Sequence, residues 1–186
     1  MKDIQEQLQR IKQLFRQHMN GVGAKSMKQK GLVYKLNYGI PFTELMEIAS
    51  EFQPDKNLAQ SLWTEPVRES KLLALLLMPQ EEINTGLATQ WIDDIETTEL
   101  VEYASKYLFP AMPDVIHWAI GLIHSDNRLH QLAGIHTLSN VVGKGKILLK
   151  TDENECLEQL KVLQRQAEDA ADITLLHAMH NLNNRF

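Results

Sequence analysis

"FTELMEIASEF" (residues 42–52) and "TTELVEYASKY" (97–107) share T-E-L-x-E-x-A-S in register, 55 positions apart. Leu45, Ile48, Ala49 and Phe52 in the first, and Leu100, Val101, Ala104 and Leu108 in and just past the second, recur at helical spacing. Two amphipathic helices so alike at a long offset are how stacked helix pairs look in sequence, because one pair cannot bury its own apolar face. The same offset carries Trp63 onto Trp118, and "RESKLLAL" (68–75) aligns with "NRLHQLAGI" (127–135) after an insertion of about four residues. The expected fold is all-α, a right-handed superhelical array of antiparallel helix pairs with a concave side.

The rest of the chain continues the pattern. Ile4, Leu8, Ile11, Leu14 and Phe15 make one apolar stripe. Pro54, Pro79, Pro110 and Pro113 interrupt the periodicity, Pro66 reads as part of a helical first turn behind Thr64 and Glu65, and Asp152 with Glu155 reads as a capping box. Short helices and short loops give roughly ten helices. No stretch reads as a strand or a flexible linker, so residues 1–186 are expected to form a single domain.

Composition bounds the function. The polar start "MKDIQEQLQR" is not a signal peptide, and no apolar run approaches the ~20 residues a membrane span needs. Cys156 is the sole cysteine, which excludes an intrachain disulfide and a cysteine-rich zinc site and suits a reducing cytoplasm. Its acidic setting, "TDENECLEQL", is expected to raise its pKa. The seven histidines hold no H-E-x-x-H or similar ligand spacing, so no metal is expected. No P-loop or nucleophile elbow is present, and no cofactor is implied. The paired acids Glu81-Glu82 and Asp93-Asp94 suit helix starts.

The formal net charge is −5, yet it is unevenly spread: residues 1–40 carry +6 and residues 41–186 carry −11. Such asymmetry often marks a binding end. The basic part is "HMNGVGAKSMKQKGLVYKLNYG" (18–39). A turn at Asn20-Gly21-Val22-Gly23 is expected to precede a helix with Lys25, Lys28 and Lys35 in one stripe, Arg16 and Lys30 adding to it. Helix-start N–H groups with lysines can hold phosphate; the alternative is a solvated face neutralised by acidic neighbours. Tyr34, Tyr38, Met27 and Gly31 fall on another stripe and read as packing. Without a preceding strand, G-x-G here is no dinucleotide motif.

"EPVRESKLLALLLM" (65–78) sets Arg68 on the same helix face as Leu72 and Leu75. A buried arginine needs a partner. Arg68 is therefore read as a structural cation held by a carboxylate or a helix-end carbonyl, with phosphate contact as the alternative.

Gly21-Val22 after the first helix, Leu62-Trp63, Arg68-Glu69 opening an apolar helix with Ala74, and Trp118 followed by Ser125-Asp126-Asn127 and Ala133 stand in order over residues 15–142. In these elements the chain resembles the DNA alkylation repair proteins, the AlkD-like glycosylases built from HEAT-like repeats. The resemblance implies a helical solenoid that lays duplex DNA along a basic concave face and excises cationic alkylpurines. It also gives Arg68, Glu69, Trp63 and Trp118 structural places.

The family's N-W-D-x-x-D falls on "TTELVE" (97–102), so Thr98 replaces the tryptophan and Glu99 and Glu102 replace the acids. The paired arginines before the later apolar helix fall on Gln131 and Leu132. Glu102 is the candidate catalytic carboxylate, with Glu99 beside it; Glu47 holds the same place in the other T-E-L-x-E unit, which favours a repeat position over an active site. Three function readings stand: a DNA-backbone-binding protein with a degenerate cleft, a helical-repeat scaffold for a protein partner, and an active alkylpurine glycosylase using Glu102.

Overall fold

The structure, a computed structural model, describes residues 3–186. Among them are eleven α-helices, two 3₁₀ turns and no sheet; a lone bridge joins Leu36 and Val67. The chain divides into two compact units, Met1–Glu82 and Ile83–Phe186.

The first unit holds α1 (Ile4–Gln17), α2 (Gly21–Gln29), α3 (Phe42–Ser50), α4 (Lys56–Trp63) and α5 (Arg68–Leu77). Asp3 and Asp55 start α1 and α4 by accepting from Gln5 and Leu58 N–H. Leu8, Ile11 and Phe15 line the buried face of α1. α5 is apolar nearly all round and sits in the middle of the unit, with Leu72, Leu73, Ala74, Leu75 and Leu77 buried and both α3 and α4 packed against it. It begins at Arg68, so Pro66 lies outside the helix and not in its first turn: Val67 holds an extended N-cap conformation that Pro66 leads into.

The second unit holds α6 (Thr85–Asp93), α7 (Thr98–Tyr107), α8 (Val115–Ile123), α9 (Arg128–Gly143), α10 (Lys150–Asp169) and α11 (Ile173–Asn183). α9 is its central helix and packs on α7, α8 and α11. At Gly134 a Cβ would come 2.4 Å from the Ala119 carbonyl oxygen, so glycine is what lets α8 and α9 approach so closely. α10 starts at Lys150, one turn ahead of the expected capping box; Asp152 is inside the helix, buried, and caps nothing.

The two T-E-L-x-E segments are α3 and α7, and in both the leucine (Leu45, Leu100) is buried and the second glutamate (Glu47, Glu102) exposed. Each is followed by a short helix and then by a buried helix opening on arginine, Arg68 or Arg128. The tryptophans do not correspond. Trp63 closes α4, whereas Trp118 is the fourth residue of α8, because the extra residues fall in the loop between α7 and α8.

The basic segment departs from its expected form. Asn20 is the N-cap of α2 and accepts from Gly23 N–H at 2.8 Å, so both glycines lie inside the first turn. The helix stops at Gln29. Gly31 takes φ +84°, its N–H donates to the Lys28 carbonyl, and Leu32 N–H donates to the Met27 carbonyl. This Schellman ending removes Lys35, Tyr34 and Tyr38 from any α2 stripe and puts them in the non-helical stretch 32–41.

Candidate nucleic-acid interface

The first unit's basic surface rests on a buried ion pair. Arg68 is 1% and Glu69 0% exposed, and Arg68 Nη1 lies 2.9 Å from Glu69 Oε1. The same guanidinium donates to the Ile40 carbonyl at 2.9 Å. Glu69 accepts backbone N–H bonds from Tyr38 (3.0 Å), Gly39 (3.1 Å) and Ile40 (3.3 Å). Arg68 N–H donates to the Leu36 carbonyl, and Asn20 N–H to the Tyr38 carbonyl. Residues 36–40 are thus fastened to the start of α5 on one side and of α2 on the other. Both charges are satisfied by each other and by backbone, which is what makes burying them tolerable.

Gly39 is the pivot of this arrangement. Its φ is +75°, and a Cβ there would sit 2.1 Å from the Asn20 carbonyl oxygen and 2.4 Å from Ala24 N. No residue with a side chain fits.

Arg16, Lys25, Lys28, Lys30 and Lys35 are all exposed. Lys25 and Lys28 share a face of α2, Lys30 caps its end, Lys35 stands just before the fastened segment and Arg16 is on the last turn of α1. Among the described residues none of the five has an ion-pair partner. Their neighbours on α1 do: Arg10 meets Glu51 and Lys12 meets Glu65, each at 2.6 Å. Arg16 and Lys12 also edge a shallow pocket of about 260 Å³ floored by Phe15, Tyr38 and Val67. Neutralisation by acidic neighbours therefore accounts for two of the seven front cations among the described residues and leaves five unbalanced.

The tryptophans are structural in placement. Trp63 is buried, with Lys71 Nζ 4.3 Å from its ring centre. Trp118 packs edge-on against Phe109 and donates from Nε1 to Thr89 Oγ1 at 3.0 Å.

The candidate carboxylates lie in the second unit, on α7. Glu102 is exposed, and its carboxyl is held above its ordinary value first by partial desolvation and then by Glu99 one turn earlier. Solvent screens most of that effect at an exposed site. The stacked Tyr103 and Tyr107 rings share the helix, their centres 6.1 Å apart. Where the resemblance sets paired arginines, Leu132 is in the core and Gln131 donates to the Ser125 carbonyl at 2.7 Å, bracing the α8–α9 turn. Neither presents a cation.

The histidines are dispersed. His18, His117, His124 and His130 each face one carboxylate, of Glu44, Asp152, Glu155 and Asp93, and no group of three metal-ligating side chains occurs among the described residues. Cys156 is buried and its thiol is pushed up to about 12, by burial first and by Glu155 second. Burial, which the flanking acids did not reveal, is what keeps it protonated.

The model of the family described as DNA alkylation repair enzyme matches residues 11–173. The chain belongs to that family. One similar solved structure is described as "a new family of proteins related to the HEAT-like repeat DNA glycosylases with affinity for branched DNA structures". It superposes with a TM-score of 0.75 at 15% identity, over 95% of this chain and 74% of that one. At that identity the likeness is one of fold, and it places this family member among the HEAT-like repeat architectures. No curated protein matches it in sequence. No helix among the described residues is long and apolar enough to cross a membrane.

Sequence reasoning missed two features of this surface. The fastening of 36–40 by Glu69 joins residues some thirty positions apart, which no local pattern reports. The exposure of two apolar side chains among the lysines, Val22 at 82% and Val33 at 69%, is the other: Val22 reads in the sequence only as part of the turn at 20–23, and Val33 carries no signal of its own.

Proposed function

We propose that this chain binds the DNA backbone through Arg16, Lys25, Lys28, Lys30 and Lys35, and that Glu102 does not drive base excision. The carrying observation is that these five cations are exposed and unpaired while Arg10 and Lys12 beside them are neutralised. Membership of a DNA repair family supports the choice of DNA as the partner.

Against excision stand the exposed, screened position of Glu102, its counterpart Glu47 in α3, and the loss of cationic side chains at Gln131 and Leu132. An oxocarbenium-like transition state needs charge held in place away from water, and a missing electrostatic group of that kind costs about 3–4 kcal/mol of barrier.

Titration of a labelled duplex at low salt tests the binding. Each phosphate neutralised contributes about −0.9 to the slope of log K against log salt. A blank titration at tens of micromolar protein rejects the proposal. Four-way and forked DNAs belong in the same series, since the structurally similar proteins are described as having affinity for branched DNA. Incubation with methylated DNA should release little 3-methyladenine or 7-methylguanine. Robust release that Glu102→Gln abolishes would overturn the second half of the proposal.

Exposed Val22 and Val33 favour one further reading, a scaffold that docks a protein on the same surface. Binding of that kind would persist at high salt, where backbone contacts fade.

A further inference from the structure

The second unit carries a polar pocket that the reading above does not use. It has a volume of about 560 Å³ and is lined by His136, Ser139 and Asn140 of α9 and by Asn181, Asn184 and Arg185 at the end of α11. The match to the family ends at residue 173, where α11 begins, so half of the lining lies beyond it.

Three asparagines in one pocket invite a chemical question. Asn140 spends its amide N–H groups on the Ser105 and His136 carbonyls, at 3.1 and 2.9 Å. Asn181 directs its amide nitrogen to His177 Nδ1 and Asn184 to His180 Nε2. Those bonds hold the side chains in place and leave the three Oδ1 acceptors available to a ligand. His136 is mostly buried; burial, and then His177, lowers its pKa and keeps the ring neutral.

One side of the pocket is cationic through Arg185. The Arg185 guanidinium lies on the backbone of Gly143, so near that a Cβ there would meet it. Lys144 caps α9, and Lys146 N–H turns back to the Val141 carbonyl at 3.2 Å, which keeps this lysine-bearing loop folded against the helix end. Lys144, Lys146 and Arg185 have no ion-pair partner among the described residues, whereas Lys150 at the loop's far end pairs with Glu153.

Amide acceptor oxygens on one side and the Arg185 guanidinium on the other fit a ligand with an amino group at one end and an anion at the other. We infer that the α9–α11 pocket takes one unpaired nucleotide, its base amino group donating to Asn181 and Asn184 and its phosphate against Arg185. Adenine and cytosine carry such an exocyclic amine and thymine does not, so the pocket favours dA or dC over dT. Unpaired nucleotides of this kind occur at strand ends and branch points. The inference rests on the nucleic-acid reading above.

The test compares wild type, Arg185→Ala and the Asn181→Ala/Asn184→Ala double variant on a blunt duplex and on the same duplex with a single-stranded dA or dT tail. Arg185, Asn181 and Asn184 are exposed, so unchanged melting temperatures are the check on folding. Wild type should bind the dA tail about tenfold better than the dT tail, toward the lower end of what one good two-bond base contact discriminates. Both variants should bring the ratio of tailed to blunt binding close to one. Replacing Lys25 and Lys28 should weaken tailed and blunt duplexes alike. Equal binding of dA and dT tails by wild type, or an unchanged ratio in both variants, overturns the inference. If no duplex binds at all, the proposed function has failed, and titration of dAMP and dTMP alone, followed by NMR, then decides the pocket. Shifts at Asn181 and Asn184 with dAMP that Arg185→Ala abolishes sustain it, and their absence at millimolar nucleotide ends it.

Discussion

Arg68 and Glu69, adjacent in sequence at the start of α5, form an ion pair closed off from water, Nη1 to Oε1 at 2.9 Å. Consecutive helix residues rarely face each other. They meet here because residues 36–40 wrap the helix start and supply both a carbonyl for the cation and three N–H groups for the anion. The pair thereby fixes the segment that follows Lys35.

Removing one partner strands the other. Arg68→Ala or Glu69→Ala should lower stability by about 3–5 kcal/mol in urea unfolding, whereas exposed Lys35→Ala should change it little. Similar unfolding midpoints for Arg68→Ala and wild type would contradict the buried pair.

Gly39→Ala meets two penalties at once, a positive φ and a Cβ 2.1 Å from backbone oxygen. The expected loss is about 2–5 kcal/mol. Gly31→Ala, with φ +84° and open space around it, should cost only about 1–2 kcal/mol. Thermal melts of the two variants rank them.

Thr137, in the middle of α9, has a buried hydroxyl without a hydrogen-bond partner. Thr137→Val keeps the shape and removes the unsatisfied group, and should raise stability by about 1 kcal/mol. A destabilised variant would reveal a partner for that hydroxyl.

Asp172 caps α11 through Leu175 N–H and holds Arg128 with both oxygens, Oδ1 to Nη2 at 2.9 Å and Oδ2 to Nε. Its carboxyl is held low, by the Arg128 hydrogen bond first, against the opposing cost of burial. A depressed carboxylate stabilises above its unfolded pKa of about 4, and the benefit fades as pH falls through the lower folded value. Asp172→Ala should cost about 1–2 kcal/mol at pH 7, chiefly as a lost cap, and less at pH 3. His136 adds an acid limb of the same sign at higher pH. Its pKa is lowered, so stability is full above its unfolded value of about 6.5 and declines as pH falls below it. Unfolding curves at several pH values separate the two.

Cations already paired should matter less to DNA than unpaired ones. Lys25→Ala or Lys28→Ala should each reduce the salt slope of duplex binding by about one, and Arg10→Ala, whose partner is Glu51, should leave it unchanged. Equal effects from all three would mean that long-range charge, and not local contact, sets the affinity.

How much of this was readable from residues alone follows from the range of each interaction. The all-helical fold was legible because apolar periodicity and helix caps are local: Leu45 and Leu100 point inward in α3 and α7 as their spacing requires. The family was legible too, since short motifs keep their order along the chain. Helix ends were less so. Gly31 ends α2 before Lys35, and Leu149 starts α10 ahead of Asp152, because a turn or two of helix is decided by neighbours as well as by propensity. The sequence by itself determined the helices, their repeat and the excess positive charge of residues 1–40. Only the tertiary structure decided which of those charges stay free, since Arg10 and Lys12 find Glu51 and Glu65 some forty to fifty positions away, and an ion pair depends on distance in space, which sequence separation does not set.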